Sequence, residues 1–279
     1  MVGVEMKVLI LGASGFIGSH VFAVLASKNY DYKAPNHKEL DLCDPIAINK
    51  YLDKYQPDVI INCAWLPRGN NVLLTEQLLA KDIYLVNIGS GVEKTLHNEK
   101  WKEYAEEKKK IAKMLRGKRA VNLRCFGVYG ERDNSERFIP WNIQRRLEGR
   151  PVEVHNRGYM DFIYIDDLVR IIEKFIEMRW RGEFDAVSTE RLSFFEIAML
   201  IIEATEGHCL PMHIMDKRGE GIRQKPYLNQ DYVGDGSKLH KKLGGHFIFV
   251  PMVHGLRNTV AWATGHDEDR LSFSSFRQH

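Results

Sequence analysis

The segment GASGFIG at residues 12–18 constrains the fold of this chain more than any other feature. It directly follows the apolar run KVLIL at residues 7–11 and opens a stretch of helical periodicity from Ile17 to Lys28. Glycines at such a strand-to-helix turn let the main chain approach a pyrophosphate at the positive end of the helix. This order predicts a dinucleotide site, the alternative being a glycine-rich turn without a ligand. The residues predicted to contact the dinucleotide are Gly12, Ser14, Gly15, Phe16, Ile17 and Gly18.

Apolar strands and helical stretches alternate through the first half of the chain. This alternation is typical of a parallel sheet, and right-handed crossovers then give a doubly wound α/β (Rossmann) layer. The predicted strands are KVLIL (7–11), YDYKAP (30–35), DVIINCA (58–64), YLVNI (84–88) and AVNLRCF (120–126). The predicted helices cover residues 17–28, 47–55, 73–80 and 101–116.

The rhythm changes after about residue 134, where an amphipathic stretch precedes the short strand FIYI at residues 162–165. Asp166 or Asp167 is predicted to cap the next helix, and Ser193 with Glu196 forms a capping box before another. We predict a smaller, α-rich C-terminal substrate lobe. The boundaries predicted are a dinucleotide-binding domain over 1–133 with 158–181 returning to it, a substrate lobe over 134–157 and 182–263, and a tail over 264–279.

Composition narrows the classes of partner. The chain has 40 Lys plus Arg against 37 Asp plus Glu, with no block of five like charges, so neither nucleic acid nor a membrane surface is an expected partner. Its four cysteines have no C-x-x-C spacing, so no metal is expected and a reducing, cytoplasmic setting fits best.

The exit of the second strand bears on the choice of cofactor. An acidic residue about 20 positions after the glycine turn would bind a ribose 2′-hydroxyl and favour NAD. Asp31 lies too early in the strand for this role, whereas Asn36, His37 and Lys38 follow it and offer a positive charge to a 2′-phosphate. We therefore expect NADP(H), with NAD(H) as the alternative if Lys38 is an ordinary solvated lysine.

Tyr104 and Lys108 stand four residues apart on a predicted helix, which places a phenol and an ammonium on one face. The helix follows a buried strand, a position beside the nicotinamide half of a dinucleotide bound at the glycine turn. A neighbouring ammonium lowers a tyrosine pKa and can also hold ribose hydroxyls, so the pair is a candidate acid–base unit. The alternative is a surface helix in which a tyrosine lies over a charged run.

Together these motifs resemble the extended branch of the short-chain dehydrogenase/reductase superfamily, which acts on nucleotide sugars. The resemblance implies that Ser90 orients a substrate carbonyl, that Tyr104 transfers the proton and that Lys108 activates it. It also implies that Asp44 faces the adenine and that Ala64 lines the ribose channel. The motifs that carry it are GASGFIG, DLCD (41–44), NCA (62–64), IGSG (88–91), YAEEK (104–108), LRCFGVYGER (123–132), MDFIYIDDL (160–168) and DGSKL (235–239).

The chain departs from the family pattern in its shorter segments before Ser90 and before Tyr104. In addition, Met160 replaces a common Arg and Gly127 a common Asn, so the substrate phosphates must be bound from elsewhere. The candidates are Arg124, Arg137 and Arg157, each with the alternative of an ordinary surface arginine.

The motifs ELDLCD, IGS and RFIP are similar to the superfamily's reductases of 4-keto-6-deoxy sugars. A bifunctional member of that group epimerises with a Cys and a His, where this chain has Val92 and Arg137, neither of which can shuttle protons at neutral pH. The resemblance therefore implies a homodimeric, NADPH-dependent 4-keto reductase of a nucleotide-linked 4-keto-6-deoxy sugar. The alternatives are a nucleotide-sugar 4-epimerase with bound NAD and a non-catalytic dinucleotide-binding protein.

Overall fold

The computed structural model describes residues 6–28, 30–67, 69–95, 101–154, 158–206, 214–216 (main chain only) and 231–266. The strands are β1 Lys7–Leu11, β2 Asp31–Lys33, β3 Val59–Asn62, β4 Tyr84–Ser90, β5 Ala120–Cys125, β6 Gly127–Tyr129, β7 Val152–Val154, β8 Tyr159–Met160, β9 Phe162–Tyr164, β10 Gly182–Ala186, β11 Leu192–Ser193 and β12 Ile214–Asp216. The helices are α1 Phe16–Ala26, α2 Pro45–Tyr55, α3 Asn70–Leu79, α4 Lys102–Leu115, α5 Phe138–Leu147, α6 Ile165–Met178, α7 Phe194–Ala204, α8 Ser237–Leu243 and α9 Met252–Thr264, with a 3₁₀ helix at Gly91–Glu93.

A six-stranded sheet organises the first part of the chain, in the order β2-β1-β3-β4-β5-β10. The pairs β2–β1, β1–β3, β3–β4 and β4–β5 are parallel. The predicted Rossmann-type α/β sheet is therefore confirmed. Strand order reverses between β1 and β3, and in sheets of this type ligands bind in the crevice at the carboxyl ends of the strands beside such a reversal.

The apolar sequence of the central strands is explained by their burial in the sheet. Strands β1 and β3 are almost continuously apolar, and Val8, Ile10 and Ile60 are fully buried. Such runs are typical of parallel strands covered on both faces. Helix α4 carries a narrower apolar stripe, whose buried positions are Ala105, Lys108, Ile111, Ala112 and Leu115. Because Lys108 falls within this stripe, helical periodicity alone turns its side chain towards the core.

Two compact units divide the chain, one drawn from Met1–Cys125 and Val169–Asp185 and the other from Phe126–Leu168 and Ala186–His279. The first holds the six-stranded sheet. The second contains the parallel pairs β6–β9 and β7–β12 and the antiparallel pair β8–β11. The assignment of one part to the dinucleotide and the other to the substrate remains a prediction, and most of the predicted tail lies outside the described residues.

Helix boundaries in the second half agree only partly with the sequence prediction. The capping box of α7 is present, with Ser193 and Glu196 bonded reciprocally. The predicted cap of α6 is wrong, because the helix begins at Ile165 and both Asp166 and Asp167 lie inside its first turn. Asp167 is instead buried and accepts a 2.8 Å hydrogen bond from the main-chain nitrogen of Val250. No helix in the described ranges is long and apolar enough to cross a bilayer.

Candidate active site

The glycine turn brings the ends of two strands and one helix into main-chain contact. Gly12 adopts a left-handed φ of 80°, and a Cβ there would lie 2.6 Å from the main-chain nitrogen of Ala64. A Cβ on Gly18 would lie 2.1 Å from the Gly12 carbonyl oxygen. Both positions exclude any side chain. The turn thus keeps the exits of β1 and β3 and the start of α1 close together, as a phosphate-binding turn requires.

The start of α1 suits an anion. Gly15 is its N-cap, and the Gly15 nitrogen donates to the Gly12 carbonyl at 3.0 Å. The first turn, Phe16 to Ser19, carries no carboxylate, and Ser14 is exposed beside it. The first N–H groups of a helix lack intrahelical partners, and the helix dipole adds positive potential there.

The exit of β2 lies at the same edge of the sheet, because β1 and β2 are parallel with Leu9 opposite Lys33. Asp31 is the register partner of Lys7 and lies at the opposite end of β2. There the Asp31 carboxylate accepts a hydrogen bond from the Tyr55 hydroxyl at 3.3 Å. The turn at residues 36–38 is closed by the Asn36 side chain, which accepts from the Lys38 nitrogen at 2.9 Å, and His37 and Lys38 are exposed.

Two further residues assigned by resemblance have local structural partners. The Asp44 side chain caps α2 by accepting a 2.8 Å hydrogen bond from the Ile46 nitrogen. The Ala64 nitrogen donates to the Asn62 side chain at 3.3 Å, just after β3 ends. Both therefore occupy ordered positions after the carboxyl ends of strands.

The end of β4 brings Lys108 and Ser90 into one neighbourhood. Lys108 is 8% exposed, and its Nζ donates to the Ile88 carbonyl oxygen at 3.0 Å. Ser90 is also buried and ends the same strand, and its hydroxyl accepts from the Val92 nitrogen at 3.4 Å. The Lys108 ammonium lies 5.9 Å from the centroid of the Tyr104 ring, which is half-buried on α4.

Trp65 is a site residue that the sequence prediction missed. The Lys108 ammonium lies 4.3 Å from the centroid of the Trp65 ring, a cation–π distance. The same indole meets Tyr104 edge-on at 4.8 Å and is 42% exposed. A usable signal was its place directly after NCA, at the carboxyl end of β3, where site residues collect in parallel sheets.

Burial shifts the ionisation of two groups at the end of β4. It lowers the pKa of Lys108 to about 8, although the negative charge of Glu93 acts in the opposite direction. It raises the pKa of Glu93 to about 7, against the hydrogen bond from the Ser90 nitrogen. Perturbed groups of this kind cluster at functional sites.

A groove of about 840 Å³ opens beside Tyr104 within the first unit. Its walls come from the segment after β3, from α3 and from α4. The apolar and aromatic lining residues are Trp65, Leu66, Pro67, Val72, Leu73 and Tyr104. Tyr104, the candidate proton donor, therefore borders a space large enough for a small ligand.

The arginines predicted to bind phosphate differ in their surroundings. Arg124 is paired with Asp185 at 2.7 Å and with Glu183 at 3.4 Å, contacts that account for its burial without a ligand. Arg137, in the second unit, pairs with Asp133 at 3.4 Å and its side chain is 55% exposed. Arg157 lies outside the described residues.

Gly127 and Met160, the two residues that depart from the family pattern, are in contact with each other. A Cβ on Gly127 would lie 2.6 Å from the Phe162 ring and 2.9 Å from Met160 Cε. The space of a side chain at residue 127 is thus filled by apolar groups.

Two family models match the chain. Residues 6–71 match the RmlD substrate binding domain. Residues 92–185 match the NAD dependent epimerase/dehydratase family. The first segment contains the glycine turn, and the second contains α4 with Tyr104 and Lys108.

Known proteins of similar sequence or fold modify nucleotide sugars. GDP-6-deoxy-D-talose 4-dehydrogenase from Aggregatibacter actinomycetemcomitans is 26% identical over 282 residues, spanning 88% of this chain and 94% of that protein. The structure of dTDP-4-dehydrorhamnose reductase from Bacillus anthracis with NADP matches with a TM-score of 0.76 and 18% identity, over 92% of this chain and 99% of the other. UDP-glucose 4-epimerase from Thermus thermophilus with NAD gives a TM-score of 0.73 and 19% identity, over 93% and 99%. These two structures establish a likeness of fold.

Proposed function

Because this chain belongs to the extended short-chain dehydrogenase/reductase superfamily, we propose that it reduces the 4-keto group of a nucleotide-linked 4-keto-6-deoxy sugar with NADPH. It is an oxidoreductase of the group that modifies nucleotide sugars, and a nicotinamide dinucleotide is its cofactor. The observation that carries the proposal is the burial of Lys108 against the end of β4 with Tyr104 on the same helix face. Because the superfamily consists of enzymes, we do not retain the alternative of a non-catalytic dinucleotide-binding protein.

The residues present fit a dinucleotide. Gly12 and Gly18 keep the turn tight against the main chain, and the pyrophosphate would bind at the start of α1, where Ser14, Gly15, Phe16 and Ile17 would form its cradle. Asp44 and Ala64 are proposed to face the adenine and the ribose, and residues 36–38 a 2′-phosphate. When bound, the dinucleotide supplies the hydride that reduces the carbonyl carbon.

The acid–base chemistry falls to three side chains. Tyr104 donates its hydroxyl proton to the oxygen of the carbonyl as that oxygen gains negative charge. The Lys108 ammonium stabilises the phenolate that remains and offers N–H donors to ribose hydroxyls. The Ser90 hydroxyl donates to the same carbonyl oxygen and fixes its direction. For the substrate diphosphate we propose Arg137 and Arg157, and Arg124 is the weakest candidate because two carboxylates already hold it.

The function is tested with a panel of dTDP-, CDP- and GDP-linked 4-keto-6-deoxy sugars, by following absorbance at the nicotinamide band. A reductase is expected to consume one NADPH for each sugar reduced. A 4-epimerase would show no net consumption and would retain tightly bound NAD through purification. That pair of results would replace the proposal by the epimerase alternative.

Cofactor preference is expected to depend on Lys38. NADPH should bind more tightly than NADH, and Lys38→Asp should reduce this preference about ten-fold or more, because a charge-assisted hydrogen bond is replaced by repulsion. Calorimetry with both cofactors measures the change. Lys50→Asp, at an exposed position on α2, makes the same change of charge away from the β2 exit and should leave the preference unaltered. Equal affinities of the wild type for both cofactors would contradict the assignment.

Turnover in heavy water is expected to leave carbons 3 and 5 of the sugar without deuterium. The reason is that Val92 has no ionisable group and the Arg137 guanidinium offers only N–H donors, so neither residue removes a proton from carbon. NMR of the product measures the incorporation. Deuterium at either carbon would show an epimerising step and would overturn simple reduction.

A further inference from the structure

Three buried asparagines stand side by side across the centre of the sheet. Asn62 on β3 is the register partner of Asn87 on β4, which is in turn the partner of Asn122 on β5. The three are 7%, 3% and 1% exposed. Buried amides are costly unless they are hydrogen-bonded, so a continuous row of them in a sheet core calls for a physical reason.

The row is a directed chain of hydrogen bonds that ends on a carboxylate. Asn62 Nδ2 donates to Asn87 Oδ1 at 3.1 Å, Asn87 Nδ2 donates to Asn122 Oδ1 at 2.8 Å, and Asn122 Nδ2 donates to Glu93 Oε2 at 2.8 Å. Every amide therefore presents its N–H side towards Glu93. We call these four residues the asparagine ladder. Dipoles in this orientation favour a negative charge at its end.

The ladder meets the candidate active site at Gly89. Glu93 Oε1 accepts from the Ser90 nitrogen at 2.9 Å, one peptide after Gly89, while Lys108 binds the Ile88 carbonyl, one peptide before it. A Cβ on Gly89 would lie 2.5 Å from Asn122 Oδ1 and 2.6 Å from Glu93 Oε1. The close approach of the ladder to the end of β4 thus requires glycine at this position.

From this geometry we infer that Glu93 is a positioning residue, which fixes the main chain at Ser90 and supplies the negative charge that keeps Lys108 protonated. This inference rests on the proposed function for the roles of Ser90 and Lys108. Lys108 is buried in an apolar helix face, and without a facing anion it would lose its proton near neutral pH. The Glu93 carboxylate is in turn held by the Ser90 nitrogen and the Asn122 amide. Its pKa of about 7 lies below the Lys108 pKa of about 8, so Glu93 is mostly ionised where Lys108 titrates.

Other ionisable groups also interact electrostatically with Glu93 or Lys108. Arg124 on β5 faces Glu93, but its guanidinium is held by Asp185 and Glu183 of β10. Lys108 also faces Glu107 on its own helix and the thiols of Cys63 and Cys125. Burial raises the pKa of the Cys63 thiol to about 12, so that thiol brings no negative charge at neutral pH. Among these groups, Glu93 has the strongest electrostatic effect on the pKa of Lys108, which it raises.

The test is the variant Glu93→Gln, which preserves the size of the side chain. Rotating each amide of the ladder reverses its direction, so the amide introduced by this substitution can donate to Asn122 Oδ1 and still accept from the Ser90 nitrogen. The reversal gives up one hydrogen bond at the far end, the 3.3 Å bond from the Ala64 nitrogen to Asn62 Oδ1. We expect the Lys108 titration midpoint, followed by NMR of ¹³Cε-labelled lysine and assigned with Lys108→Met, to fall by about 1 pH unit. The pH at which kcat/KM falls to half on the alkaline side should decrease by the same amount.

Asp82→Asn is the matched control, because Asp82 is an exposed carboxylate of the same unit with no contact at the site. It should move neither titration nor pH profile. An unchanged Lys108 midpoint in folded Glu93→Gln would overturn the inference. If that variant does not fold, Lys108→Met tests the same coupling from the other side: the Glu93 titration, followed by carboxyl ¹³C NMR, must move to higher pH. No movement there would also overturn it. These midpoints need no turnover, so inactivity of the wild type on the sugar panel would reject the proposed function separately.

Discussion

Replacing Tyr104 with Phe is expected to lower kcat by about 10²–10⁴-fold, the usual contribution of a positioned general acid. The substitution keeps the ring and its edge-on contacts with Trp65 at 4.8 Å and Trp101 at 6.0 Å, so the surrounding packing is retained. Only the transferable proton is lost. Cofactor affinity should stay unchanged, because the pyrophosphate is bound at the glycine turn and not by the phenol.

Steady-state kinetics and calorimetry on the same preparation measure the two quantities. Tyr51→Phe, which removes a phenol hydroxyl from α2 in the same unit, is the matched control and should retain wild-type turnover. Near-normal turnover of Tyr104→Phe on a substrate that the wild type reduces would show that α4 is not the catalytic helix.

Replacing Lys108 with Met is expected to cost at least as much turnover and also to weaken cofactor binding, because the ammonium serves both the phenol and the ribose. It should at the same time stabilise the fold. Burial lowers the pKa of Lys108 from 10.5 to about 8, so the folded protein holds this proton less tightly than the unfolded chain. Below pH 8 the charged lysine therefore destabilises the fold.

The lowered pKa alone corresponds to about 3 kcal/mol. We expect Lys108→Met to raise the free energy of unfolding at pH 7 by about 1–2 kcal/mol, less than this figure because the bond to Ile88 and the Trp65 contact are lost. The gain should shrink as the pH rises from about 8 towards 10.5, where the lysine is neutral in both states. Urea unfolding at pH 7 and pH 10 measures it.

Lys109→Met, at the adjacent exposed position of α4, is the matched control and should change neither stability nor turnover appreciably. A loss of stability in Lys108→Met at pH 7 would show that the buried ammonium is a net stabilising group. Unchanged turnover would remove Lys108 from the mechanism.

Local features of the fold could be predicted from the sequence because neighbouring residues determine them. The turn at residues 12–18 depends on glycines that no side chain can replace, and the capping box at Ser193 depends on a partner three residues away. The same local argument failed at Asp167, which satisfies the distant Val250 nitrogen and does not cap its own helix. A residue's type indicates which hydrogen bonds it can make, and only packing decides which of them it makes.

Spacing along the chain by itself determined the glycine turn, the order of strands and helices in the first half, and the placement of Tyr104 and Lys108 on one helix. Only the tertiary structure decided that Trp65 lies over Lys108, that Arg124 pairs with Asp185, and that the three ladder asparagines meet. Those asparagines are 25 and 35 residues apart in sequence. Their contact depends on the register between parallel strands, which the packing of the whole sheet sets and which no local pattern encodes.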